Sequence, residues 1–93
     1  MRILASEQVQ DWLVALPPET KRRVRKALRQ LQSSRGDIRG LRGSLQGFNR
    51  VRIGGMRIVD SQKSGNVIQL EYAESRDVVY ENFLRVLERR KRG

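Results

Sequence analysis

Apolar residues recur along this chain with two spacings, one helical and one alternating. Arg2-Ile3-Leu4-Ala5 is a short candidate strand, and Ser6 after it is a good helix N-cap. Val9, Trp12, Leu13 and Leu16 fall at i, i+3, i+4 and i+7, one face of a short helix, which makes Trp12 a core residue. Pro17-Pro18 ends that helix, because a residue before proline avoids the helical region. Pro18 suits the first position of the next helix, whose apolar stripe is Val24, Ala27, Leu28 and Leu31. So short a link predicts an antiparallel helical hairpin. Residues 36 to 47 are punctuated by Gly36, Gly40, Gly43 and Gly47, which predicts a loop anchored by Ile38, Leu41 and Leu45.

Alternation takes over at Phe48. Phe48 to Ile53 and Met56 to Asp60 read as strands, and Gly54-Gly55 between them as a two-residue hairpin turn with positive φ. Such a turn sets the register. Arg52 then faces Arg57, Val51 faces Ile58 and Arg50 faces Val59. Side chains alternate across a strand, so Val51, Ile53, Met56 and Ile58 share a core face. Arg50, Arg52 and Arg57 share the other. By parity Asp60 belongs with the core set, so it is expected at the strand end, out of the interior.

After a turn at Ser61 to Asn66, Val67 to Ala73 is a third strand with Ile68, Leu70 and Tyr72 on one face. Helical spacing returns from about Asp77 with Val79, Phe83, Val86 and Leu87, fraying into a basic tail at 89–93. The expected fold is α+β: a short N-terminal strand, a helical hairpin packed on a small antiparallel sheet with a central three-stranded meander, and a C-terminal helix. All helices are expected on one sheet face.

At 93 residues the chain is expected to be one small domain. It has no cysteine and no histidine, so thiolate chemistry and the commonest general base and metal ligand are missing. The carboxylates are scattered, and no metal or cofactor is expected. No long apolar run suggests a membrane span, and a cytoplasmic protein is expected. The net charge is +10, and from Lys21 to Arg57 twelve basic residues stand against one acidic residue, Asp37. That field favours a polyanion or an acidic protein partner. Like charges facing each other on a sheet are destabilising. An anion held between Arg52 and Arg57 reverses the sign through charge-assisted bidentate bonds. A solvated edge partly quenched by Glu71 is the other reading.

The stretch Leu41-Arg42-Gly43, Leu45, Gly47-Phe48-Asn49-Arg50-Val51-Arg52-Ile53-Gly54, Arg57-Ile58-Val59 and then Ser75-Arg76-Asp77-Val78-Val79-Tyr80 resembles the RelE/ParE superfamily of bacterial toxins from toxin–antitoxin pairs. The resemblance implies a RelE-like fold with a cognate antitoxin, acidic or amphipathic, as partner. In the RelE branch it implies metal-free cleavage of mRNA on the ribosome, the ribose 2′-OH attacking the adjacent phosphate. By position, Arg50, Arg52, Arg57, Arg76 and Tyr80 match the family's functional residues. The arginines would stabilise a phosphorane-like transition state, and Tyr80 would stack on a base or move a proton. The ParE branch implies instead a toxin that inhibits DNA gyrase without cleaving RNA, and a catalytically inactive nucleic-acid-binding relative also stays open. Four positions depart from the pattern: Asn49 stands where an aromatic is usual, Met56 and Asp60 where tyrosines are frequent, and Ser75 where a basic residue or histidine is common.

Overall fold

The computed structural model describes residues 2–33, 38–75 and 78–92. The elements run β1 (Arg2–Ala5), α1 (Glu7–Val14), α2 (Pro18–Gln32), β2 (Ile38–Gly40), a 3-10 turn (Gly43–Leu45), β3 (Asn49–Ile53), β4 (Met56–Lys63), β5 (Val67–Glu74) and α3 (Val78–Arg92). The fold is α+β, as expected. Five strands make one sheet in the order β1-β5-β4-β3-β2. β3, β4 and β5 are the expected antiparallel meander.

The sheet differs from the expectation at both edges. β1 lies parallel to β5, so the sheet is mixed. Ile38–Gly40, inside the stretch read as loop, pairs with β3 and forms the other edge. Three residues are too few to show an alternating pattern. They are a strand because β3 offers them a ladder.

Ser6 joins α1 to the sheet. Its Oγ accepts from the Val9 N–H at 3.3 Å and donates to the Glu71 carbonyl at 2.9 Å. Gln8 then mimics a strand beyond the end of β1. Its Nε2 donates to the Ala73 carbonyl at 2.7 Å, and its Oε1 accepts from the Ala73 N–H at 2.8 Å. α2 starts on Pro18 and buries Val24 and Leu31. Together α1 and α2 cover one sheet face over Val51, Ile53, Met56, Ile58, Ile68 and Leu70, with Trp12 and Leu28 at the margin.

α3 does not join them. It packs on the opposite face, where Val79 and Phe83 meet Val59, Leu45, Phe48 and Tyr72. The Phe83 and Phe48 rings meet edge to face at 5.0 Å. The expectation of all helices on one face is therefore corrected. α1 and α2 already occupy the first face, and the second carries an apolar bed on which α3 packs.

A bulge supplies part of that bed. Val59 pairs with Tyr72, but Asp60 pairs with Leu70, so Glu71 is an extra residue in β5. The bulge turns Tyr72 away from Ile68 and Leu70 and toward Phe83, at 6.1 Å between ring centres. β4 runs past Asp60 to Lys63, and α3 stays helical to Arg92 where fraying was expected from 89. Among the described residues no helix is long and apolar enough to cross a membrane.

Candidate functional site

The β3–β4 register is the expected one: Arg52 opposite Arg57, Val51 opposite Ile58 and Arg50 opposite Val59. The arginine face is thus the face that α3 packs on. β2 adds a further cation to it. Arg39 sits opposite Arg50, with its neighbour Ile38 opposite Val51 and packed on the other core. Four arginines, Arg39, Arg50, Arg52 and Arg57, therefore share one face of three adjacent strands. Arg39 escaped sequence reasoning because its segment lacked a strand pattern, although its parity with Ile38 was visible.

Arg39 and Arg52 are exposed, and Arg50 and Arg57 are half-buried. The Arg57 Nη1 donates to the carbonyls of Gly54 at 2.9 Å and Met56 at 3.0 Å. The backbone of the turn thus holds this guanidinium in place, which lowers the cost of ordering it against an anion. Tyr80, in the first turn of α3, is half-buried against the cluster containing Val59. The fold brings Tyr80 to the face of Arg50, Arg52 and Arg57. Arg76 lies outside the described residues.

The carboxylates are arranged differently from the expectation. Glu71 is buried, accepts a 2.6 Å hydrogen bond from the Ser61 hydroxyl, and pairs with Lys63 at 3.8 Å and Arg90 at 3.6 Å. The Arg90 contact ties the end of α3 to the sheet, and the Lys63 contact joins β4 to β5. The acid in register with Arg57 is instead Glu74. Its two oxygens accept from the Asn82 Nδ2 at 3.0 and 2.9 Å, and Oε1 also accepts from the Tyr72 hydroxyl at 3.3 Å. Glu74 thereby fixes the start of α3, and with it Tyr80, relative to the arginine strands. Burial and the negative field of Glu74 push the Tyr72 hydroxyl above its ordinary pKa, so it remains a donor.

Asp60 is 2% exposed, which corrects its expected place at a strand end. β4 continues beyond it, and Asn49 opposite donates to its Oδ1 at 3.3 Å. Burial raises its pKa, the Asn49 hydrogen bond opposes that, and Glu71 adds a smaller upward push. Asn49 and Asp60 share the parity of Val51 and Ile58, so neither belongs to the arginine face.

At the end of the β3–β4 hairpin lies a cleft of about 310 Å³ lined by Arg23, Lys26, Ala27 and Gln30 of α2 and by Arg52 and Ile53 of β3. Arg23 and Lys26 were not singled out by sequence reasoning, because both fall outside the apolar stripe of α2.

Neither a protein-family model nor a curated protein matches the sequence. Solved structures do match in fold. A chain of the RelB–RelE antitoxin–toxin complex from Methanococcus jannaschii superposes with a TM-score of 0.64 at 23% identity, covering 86% of this chain and 98% of that one. The YoeB/ParE toxin from Agrobacterium tumefaciens gives 0.67 at 14% identity, covering 81% and 98%. The YoeB–YefM complex from Staphylococcus aureus gives 0.64 at 17%, covering 80% and 94%. At these identities the likeness establishes the fold. It is the RelE-like fold that the motifs between Leu41 and Tyr80 implied.

Proposed function

We propose that this chain is the toxin of a toxin–antitoxin pair and that its arginine face cleaves mRNA on the ribosome. The observation that carries the proposal is the gathering of Arg50, Arg52, Arg57 and Tyr80 on one face of a RelE-like fold. In this reading the ribose 2′-oxygen attacks the adjacent phosphorus and the bond to the 5′-oxygen breaks. Negative charge grows on the non-bridging oxygens, where preorganised guanidinium groups act most strongly. Arg57, held by the turn, is the main stabiliser, with Arg50 and Arg52 beside it and Arg76 as the fourth. Tyr80 stacks on a base or carries a proton. A free tyrosine has a pKa of ~10, so Tyr80 is a slow base on its own and the ribosome completes the site.

A cognate antitoxin belongs to the same reading. Two of the structures matched in fold are toxin–antitoxin complexes. An apolar groove of about 190 Å³ between α1 and α2, lined by Leu13, Val14 and Leu28 and edged by Lys21 and Arg25, suits an acidic amphipathic segment of that partner.

In a translation assay that maps mRNA ends in the ribosomal A site, Arg57→Ala is expected to lower cleavage by roughly 10²–10³-fold. Tyr80→Ala is expected to fall with it. Wild-type cleavage by both variants would remove the arginine face as the site, and no cleavage by the wild-type chain would remove the nuclease reading. Gyrase-dependent DNA breaks with intact mRNA would put the ParE-like reading in its place.

A further inference from the structure

We infer that the cleft between α2 and the β3–β4 turn holds the phosphodiester backbone of single-stranded RNA, beside the phosphate gripped by the arginine face. The inference rests on the RNA-cleaving reading above and extends it to a second contact surface.

Its geometry begins with helical spacing. Arg23, Lys26 and Gln30 fall at i, i+3 and i+7 of α2, so they form one line along the helix. All three line the cleft, with Ala27 as a low floor between them. The opposite wall is Arg52 and Ile53, and Arg52 is the same residue that faces Arg57 across the hairpin. The cleft and the arginine face therefore meet at Arg52.

Gly54 lets the two walls close up. It has φ +58, and a Cβ there would lie 2.7 Å from the Arg23 Nη2, so the guanidinium rests over bare backbone. From the other side Arg57 donates to the carbonyl of the same residue. Cations thus bracket the turn from both faces of the sheet, and together they make a continuous basic path around its end.

No acid among the described residues lines this cleft, and no ion pair among them engages Arg23, Lys26 or Arg52. Three neighbouring cations without a counter-charge repel one another, and a bound anion removes that cost. The cleft is too open to enclose a small ligand. It fits a chain that runs through it, and a ribose–phosphate chain supplies regularly spaced charge with Gln30 as an additional hydrogen-bonding group. Single-stranded binding of this kind depends on salt, with a slope of about −0.7 per phosphate neutralised.

The test is fluorescence anisotropy with a short labelled 2′-O-methyl RNA. It lacks the nucleophilic hydroxyl and cannot be cut, so the outcome does not depend on whether the chain is a nuclease. Wild type is compared with R23Q/K26Q and with R22Q/R29Q. The control removes the same charge from exposed positions of the same helix that line neither groove. Circular dichroism confirms that both variants fold. R23Q/K26Q is expected to weaken binding roughly 10–30-fold near 0.1 M salt and to flatten the salt slope by ~1.4, while the control changes both far less. Equal losses in the two variants, or no loss in R23Q/K26Q, overturn the inference. So does a loss seen only with a polyglutamate peptide, which would make the cleft a protein-docking site.

Discussion

At the scale of single residues, Asn49 and Asp60 turn out to be one feature. They face each other across β3 and β4 with a 3.3 Å hydrogen bond. They form one polar pair beneath the arginine face. The pair is incomplete, because the Asp60 Oδ2 is buried and no hydrogen-bond partner among the described residues reaches it. Its raised pKa means that the folded chain binds the Asp60 proton more tightly than the unfolded chain does. Stability therefore falls as pH rises from the ordinary aspartate value of ~3.9 through the raised folded value, and stays reduced above it. Asp60→Asn keeps the acceptor for Asn49 and removes the charge. It is expected to be more stable than wild type by about 1 kcal/mol at neutral pH. The advantage should shrink toward pH ~4. Urea unfolding at the two pH values checks this, and a pH-independent difference would contradict the assignment.

At the scale of elements, the β3–β4 hairpin was the most legible part of the chain. Five alternating residues on each side of Gly54-Gly55 leave one register that buries the apolar set, and that register is found. Only Gly54 takes a positive φ, the pattern of a type II′ turn. Gly54→Ala places a side chain in a region that suits glycine alone, and a loss of about 1–3 kcal/mol is expected. Gly55 has an ordinary φ, and a Cβ there would lie 3.7 Å from the Ser75 carbonyl, a normal contact. Gly55→Ala should therefore be nearly neutral. Comparable losses at both positions in chemical denaturation would argue against this turn. β2 and the β5 bulge were not legible. A three-residue edge strand has no pattern of its own, and an extra residue such as Glu71 shows itself only once its partner strand is in place.

At the scale of the whole molecule, one sheet separates two cores. The core under α1 and α2 is the larger, and the other depends on α3 laying Val79 and Phe83 on Val59 and Leu45. Phe83 is fully buried between Phe48 and Tyr72. Phe83→Ala is expected to cost about 3–5 kcal/mol, much of what a small domain has. Hydrogen exchange should show α3 amides losing protection well before those of β3 and β4. Equal loss throughout would mean that the two cores act as one. Because α3 carries Tyr80 onto the arginine face, this packing also decides whether the proposed site exists. Sequence parity placed Arg50, Arg52 and Arg57 together, but it could not place α3 beside them.

The sequence alone determined what depends on neighbours in the chain. Helical and alternating spacing set the helices and the meander. The tight turn set which arginines face each other, and the charge balance set the positive field around them. Tertiary structure decided what depends on distant pairing. It put β1 and β2 on the edges, shifted β5 by one residue at Glu71 and buried Asp60 against Asn49. It sent α3 to the face with the arginines and brought Arg23 and Lys26 of α2 up to Arg52. Local spacing says which side of an element is apolar. Which surface covers that side is settled only when all the apolar stripes compete for the same sheet.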